Sequence, residues 1–164
     1  MKRSLLSLLG AYMAVTIVVS AGVAEDEKPK KKRKEVTAVK CPVAGKEVKI
    51  ADAKVVEYRK AKVYVCCDGC KGKMEKDATA FAVKANQQLL LTRQYRQAKC
   101  PLSGGKTDKE QKSKVAGTMV RFCCDKCKGK VDEAKGDEQL AMVFGDKVFE
   151  KAYVPVKKKE ADKK

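Results

Sequence analysis

Apolar and polar positions divide the chain into three regimes. Residues 5–24 are uncharged and mostly apolar, residues 25–39 are mostly polar and charged, and from Lys40 onward short apolar runs alternate with charged residues. In the third regime Val55, Val56 and Tyr58, then Val63 and Val65, predict a β-hairpin ending at Cys66. A second hairpin is predicted from Val115 through the turn Ala116-Gly117-Thr118 to Val120 and Phe122, ending at Cys123. Behind Cys70, Met74, Ala78, Phe81, Ala82, Ala85 and Leu89 recur at spacings of three and four, the signature of one helix with one apolar face. The segment after Cys127 offers Val131 and Ala134 before Gly136 interrupts it. Residues 137–154, with Leu140, Met142, Phe144, Val148, Phe149 and Tyr153, fit strand and helix equally.

The two hairpins belong to an internal repeat. Lys40-Cys41-Pro42-Val43-Ala44-Gly45 is answered by Lys99-Cys100-Pro101-Leu102-Ser103-Gly104. Cys66-Cys67-Asp68-Gly69-Cys70-Lys71-Gly72-Lys73 is answered by Cys123-Cys124-Asp125-Lys126-Cys127-Lys128-Gly129-Lys130, identical at seven of eight positions. All eight cysteines lie in these blocks, four to a copy. The Cys-Pro-x-x-Gly segments read as tight turns in which glycine takes a positive φ. The pattern predicts a small α+β fold of two units in tandem, 40–96 and 97–156, each running turn, hairpin, helix. Units of about 60 residues bury little apolar surface and expect thin cores of their own, so they need a staple. Five tyrosines, four phenylalanines and no tryptophan leave cysteine as that staple.

The first two regimes supply an address. Lys2 and Arg3 precede the apolar stretch, and Ala21-Gly22-Val23-Ala24 ends it with small residues, as in a signal peptide spanning 1–24. The other reading of that stretch is an uncleaved membrane anchor. Residues 25–39, with Pro29 and the run Lys30 to Lys34, read as a disordered basic linker, and 157–164 as a basic tail. A periplasmic or secreted location follows. The leader carries only Lys2 and Arg3, so the rest of the chain keeps +15 of the net +17. This charge predicts weak attraction to anionic surfaces. Scarce arginine and the lack of a recognition motif exclude a specific nucleic-acid reader.

The cysteine spacing carries the chemistry. Cys66 and Cys70 stand at i and i+4 across a predicted helix start, as do Cys123 and Cys127, so each pair aims at one point. The helix N-terminus favours thiolate over thiol. Cys41 and Cys100 join these pairs from the tight turns. The repeat unit Cys100-x22-Cys123-x3-Cys127, with the apolar strand end Phe122 running into the cluster, resembles the TRASH domain, a metallochaperone-like module, and the related YHS domain. Cys41-x24-Cys66-x3-Cys70 is a slightly longer version, entered through Val65. The likeness covers most of the chain behind the leader and extends to tandem exported proteins of planctomycete-type bacteria. It implies two treble-clef or zinc-ribbon-like units that bind, sense or transfer heavy metal. Relatives with four ligands place a second cysteine three residues after the first, where this chain has Ala44 and Ser103. Cys67 and Cys124, adjacent to a ligand, are the remaining candidates for a fourth position.

With no histidine in the chain, imidazole ligation and histidine base chemistry are excluded. All-thiolate sites select Zn(II), Cu(I) or soft toxic ions over Mg, Ca and Mn. The reading is therefore a non-enzymatic protein binding one Zn(II) or Cu(I) per repeat, with an envelope metal-handling protein as partner. Metal ligands are expected among Cys41, Cys66, Cys67, Cys70, Cys100, Cys123, Cys124 and Cys127. Two rivals stand beside it. One is a disulfide-stapled envelope scaffold, disfavoured by the expectation that Cys66 and Cys67 point apart in a strand. The other is thiol–disulfide exchange at Cys67-Asp68-Gly69-Cys70 and Cys124-Asp125-Lys126-Cys127, which lack the βαβ setting of thioredoxin-type motifs.

Overall fold

Local sequence accounts for each element of a computed structural model that describes residues 35–157. The predicted leader, most of the linker and nearly all of the basic tail lie outside the described residues. Strand β1 (Ala38–Lys40) pairs antiparallel with β2 (Glu47–Lys49) around the first Cys-Pro turn. It begins inside the segment read as linker, because Val39 is apolar and is buried. The hairpins follow as expected: β3 (Lys54–Tyr58) with β4 (Ala61–Val65), and β6 (Lys112–Val115) with β7 (Thr118–Arg121). Val56, Val63 and Val65 lie on the buried face of the first, Val115 and Val120 on that of the second.

Helix α1 (Asp68–Lys76) leaves the first hairpin, and α3 (Asp125–Glu133) leaves the second. The long helix expected behind Cys70 is broken. Asp77 ends α1 by leaving the helical conformation (φ −141°, ψ 81°), and its carboxylate accepts hydrogen bonds from the Thr79 hydroxyl and the Ala80 amide. A turn of 3-10 helix (Thr79–Phe81) then leads into α2 (Ala82–Leu91). Of the six positions on the expected apolar face, Met74, Ala82, Ala85 and Leu89 are buried, while Ala78 and Phe81 are half-buried. A short polar side chain that caps the backbone locally wins over the continuous helix. In residues 137–154 helix prevails: α4 (Gly136–Phe144) and α5 (Asp146–Ala152) precede β8 (Tyr153–Pro155).

Between the copies runs β5 (Tyr95–Gln97), which pairs antiparallel with β8, so the end of copy one meets the end of copy two. Thin separate cores were expected. Instead Val63, Val65, Met74 and Leu89 of copy one share a single hydrophobic cluster with Phe122, Val131, Phe144 and Phe149 of copy two. Pooling the apolar surface of both copies enlarges the buried fraction beyond what either holds alone. Tyr95 packs on Phe149 at 5.1 Å, and Phe149 stacks on Tyr153 at 4.8 Å. Among the described residues no helix is long and apolar enough to cross a membrane.

Candidate metal centre

Each Cys-Pro turn delivers its cysteine from beneath. The Gly45 amide donates to the Cys41 carbonyl at 2.8 Å and the Cys41 amide to Lys46 at 2.7 Å; Gly104 and Cys100 repeat the pattern at 2.8 and 2.9 Å. Closing the turn needs positive φ, supplied by Gly45 at 69° and Gly104 at 75°. Cys41 and Cys100 are thereby fully buried. Cys66 and Cys123 follow the ends of β4 and β7, and Cys70 and Cys127 sit in the first turn of the helices. The three sulfurs of Cys41, Cys66 and Cys70 all lie within 4.8 Å of one another, as do those of Cys100, Cys123 and Cys127. The two triads expected from the cysteine spacing are brought together by the fold.

The sulfur spacing suits one ion per triad. Cys66 and Cys70 are 3.5 Å apart, Cys123 and Cys127 3.6 Å. A Zn–S bond of about 2.3 Å in tetrahedral geometry sets sulfurs about 3.8 Å apart. Cys67 and Cys124 stand outside the triads, exposed at the N-caps of α1 and α3. They do not point away from their neighbours as a strand would require. The Cys67 sulfur is 3.8 Å from that of Cys66, and Cys124 is 3.6 Å from Cys123. Both residues are still extended in backbone, and the helices begin at the next residue, Asp68 and Asp125.

The turns and helix starts decide where negative charge collects. Burial pushes the Cys41 thiol up, but the amides of Ala44, Cys66 and Val43 more than offset it and hold the group below its ordinary value. At Cys100 burial is likewise outweighed, here by the Ser103 hydroxyl and the amides of Ser103, Cys123 and Leu102, which bring it down to about 7. The amide of Cys70 lowers Cys67, and that of Cys127 lowers Cys124. Cys70 is pushed up to about 12, first by its contact with Cys66 and then by burial. At Cys127 burial comes first and the Cys123 contact second, again reaching about 12. In each triad the turn cysteine is thus the more acidic thiol and the helix cysteine the less acidic.

The triads differ in one group that the sequence reading treated only as a missing cysteine. Ser103 Oγ lies 3.1 Å from the Cys123 sulfur and accepts the Gly105 amide at 3.1 Å. At the matching place in copy one Ala44 offers only its amide, 3.5 Å from the Cys41 sulfur. No protein-family model, curated protein or solved structure matches the chain.

Proposed function

We propose that the protein binds one soft or transition metal ion, Zn(II) or Cu(I), at each cysteine triad, and that it acts in the cell envelope without catalysing a reaction. The reading is carried by one observation: two triads, built from the same turn, strand end and helix start, each converge to within 4.8 Å. Both are thiolate-only, which favours soft and borderline ions. The treble-clef-like character of the units and the exported location belong to the same proposal, resting on the repeat pattern and the leader. The exposed thiols beside each triad favour holding and handing on metal over a closed structural knuckle, because a structural zinc site closes with four ligands from the protein.

The test is metal content and thiol state of the chain purified without oxygen. Near two Zn or Cu per chain, with eight reactive thiols after chelation, is the expected result. A metal-free chain whose intact mass is short by eight hydrogens would show four disulfides and replace this reading with the stapled scaffold.

A further inference from the structure

The sulfurs converge only if the two backbone segments that carry them are held side by side. In copy one Lys40, next to Cys41, lies beside Tyr64, two residues before Cys66. The Gln88 side chain bridges them: its Oε1 accepts the Tyr64 amide at 2.6 Å, and its Nε2 donates to the carbonyls of Tyr64 at 2.8 Å and Lys40 at 3.0 Å. In copy two Lys99, next to Cys100, lies beside Arg121, two residues before Cys123. Gln97 makes the same three bonds there, accepting the Arg121 amide at 2.9 Å and donating to the carbonyls of Arg121 at 2.6 Å and Lys99 at 3.0 Å.

The two glutamines are not counterparts in the repeat. Gln88 comes from helix α2 within copy one, whereas Gln97 comes from β5, ahead of the Cys-Pro turn it serves. The same amide has been placed on the same two backbone positions from two different elements. Its chemistry suits the task, since a primary amide carries donor and acceptor in the arrangement of a peptide group and completes the free edge of a two-stranded ribbon. In copy one these groups are partly buried and, left without partners, would carry a desolvation penalty and let the segments part. In copy two the bonds are exposed, and the amide supplies the link itself.

Building on the metal reading, we propose that Gln88 and Gln97 are the positioning residues of the two triads, each setting the distance between the turn cysteine and the strand cysteine of one copy only. The test uses the full chain and cadmium alone as probe, titrated without oxygen against a competing chelator. One triad is silenced at a time, by Cys66→Ser with Cys70→Ser or by Cys123→Ser with Cys127→Ser. Gln97→Ala, at a half-buried site, is expected to weaken the Cys100 triad about 10–100-fold, the usual effect of losing a group that orients a ligand. The Cys41 triad should keep its affinity. Hydrogen exchange should speed up at the Arg121 amide and not at Tyr64. Gln97→Glu keeps the acceptor but has no donor for the two carbonyls, so it should protect the Arg121 amide without restoring affinity.

Gln88→Ala should show the mirror pattern; Gln88 is buried, and if that variant does not fold, Gln97 carries the test. An opened Arg121 amide with undiminished cadmium affinity overturns the proposal, and so does equal weakening of both triads. In a wild-type chain that takes up no cadmium the metal reading falls, and the exchange result alone decides the clamp. Unchanged protection of Arg121 in Gln97→Ala would then reject it.

Discussion

At the scale of single residues, the side chains beside the triads provide tests of the proposed metal role. Cys67 and Cys124 are exposed, lie within 3.8 Å of one triad sulfur, and are held toward the thiolate by helix amides. Replacing both by serine should leave metal per chain unchanged while slowing transfer to a competing small thiol by roughly tenfold or more, as expected when the accessible nucleophile is removed. Stopped-flow transfer read against metal content checks this, and an undiminished rate counts against an exchange role. Ser103 makes the second triad different. Its hydroxyl lies 3.1 Å from the Cys123 sulfur and helps to hold Cys100 below its ordinary value. Ser103→Ala should therefore weaken copy two by several-fold, consistent with about 1 kcal/mol for a typical lost hydrogen bond. Ala44→Ser is expected to move copy one the other way, measured by the same competition titration.

Among the elements, the hairpin turns show where strain is tolerated. Arg59 and Lys60 connect β3 to β4 with φ of 52° and 60°, the two-residue turn that matches strand twist but disfavours side chains. Copy two puts Ala116 and Gly117 in the same positions, at 43° and 86°. Lys60 is exposed, so Lys60→Gly should stabilise the protein by roughly 0.5–1 kcal/mol, net of glycine's extra freedom in the unfolded chain. Denaturant unfolding of the metal-free protein provides the measurement. Gly145 behaves oppositely. A Cβ there would sit 2.6 Å from the Ala141 carbonyl oxygen, backbone that cannot yield as α4 gives way to α5. Gly145→Ala should cost roughly 1–3 kcal/mol, read from the same transition.

For the whole molecule the question is what joins the two copies. Besides the shared cluster, Arg59 at the tip of the first hairpin reaches α5 of the second copy, with its guanidinium 2.9 Å from Asp146 and 3.1 Å from Glu150. The Asp146 carboxylate also accepts from Tyr58 at 2.9 Å and Asn86 at 3.1 Å. Burial alone would raise this carboxyl, but the Asn86, Arg59 and Tyr58 donors outweigh it and hold it below the ordinary 3.8. A group depressed in the folded state stabilises above its unfolded value, and that contribution disappears as pH falls through the folded one. Asp146→Asn should accordingly flatten the loss of stability below about pH 4. Thermal unfolding at pH 7 and at pH 3 compares the two chains, and equal losses in both would exclude Asp146 as a source of acid lability.

The hairpins, the tight turns and both triads were legible because each rests on short-range chemistry: alternation along a strand, glycine at a positive φ, thiols one helical turn apart. The break at Asp77 was not, since a local cap competes with a pattern that periodicity alone reads as continuous. Gln88 reads as one of four polar residues in α2 and Gln97 as an ordinary linker residue; neither carries a signal until folding brings the strand edge beside it. Ser103 was visible only as a position without cysteine. The two cysteine triads were thus determined by sequence, because spacing limits where thiols can go. The shared core, the glutamine bridges and the inequality of the two triads were decided by tertiary structure. They depend on contacts between segments far apart in the chain, where no local preference reaches.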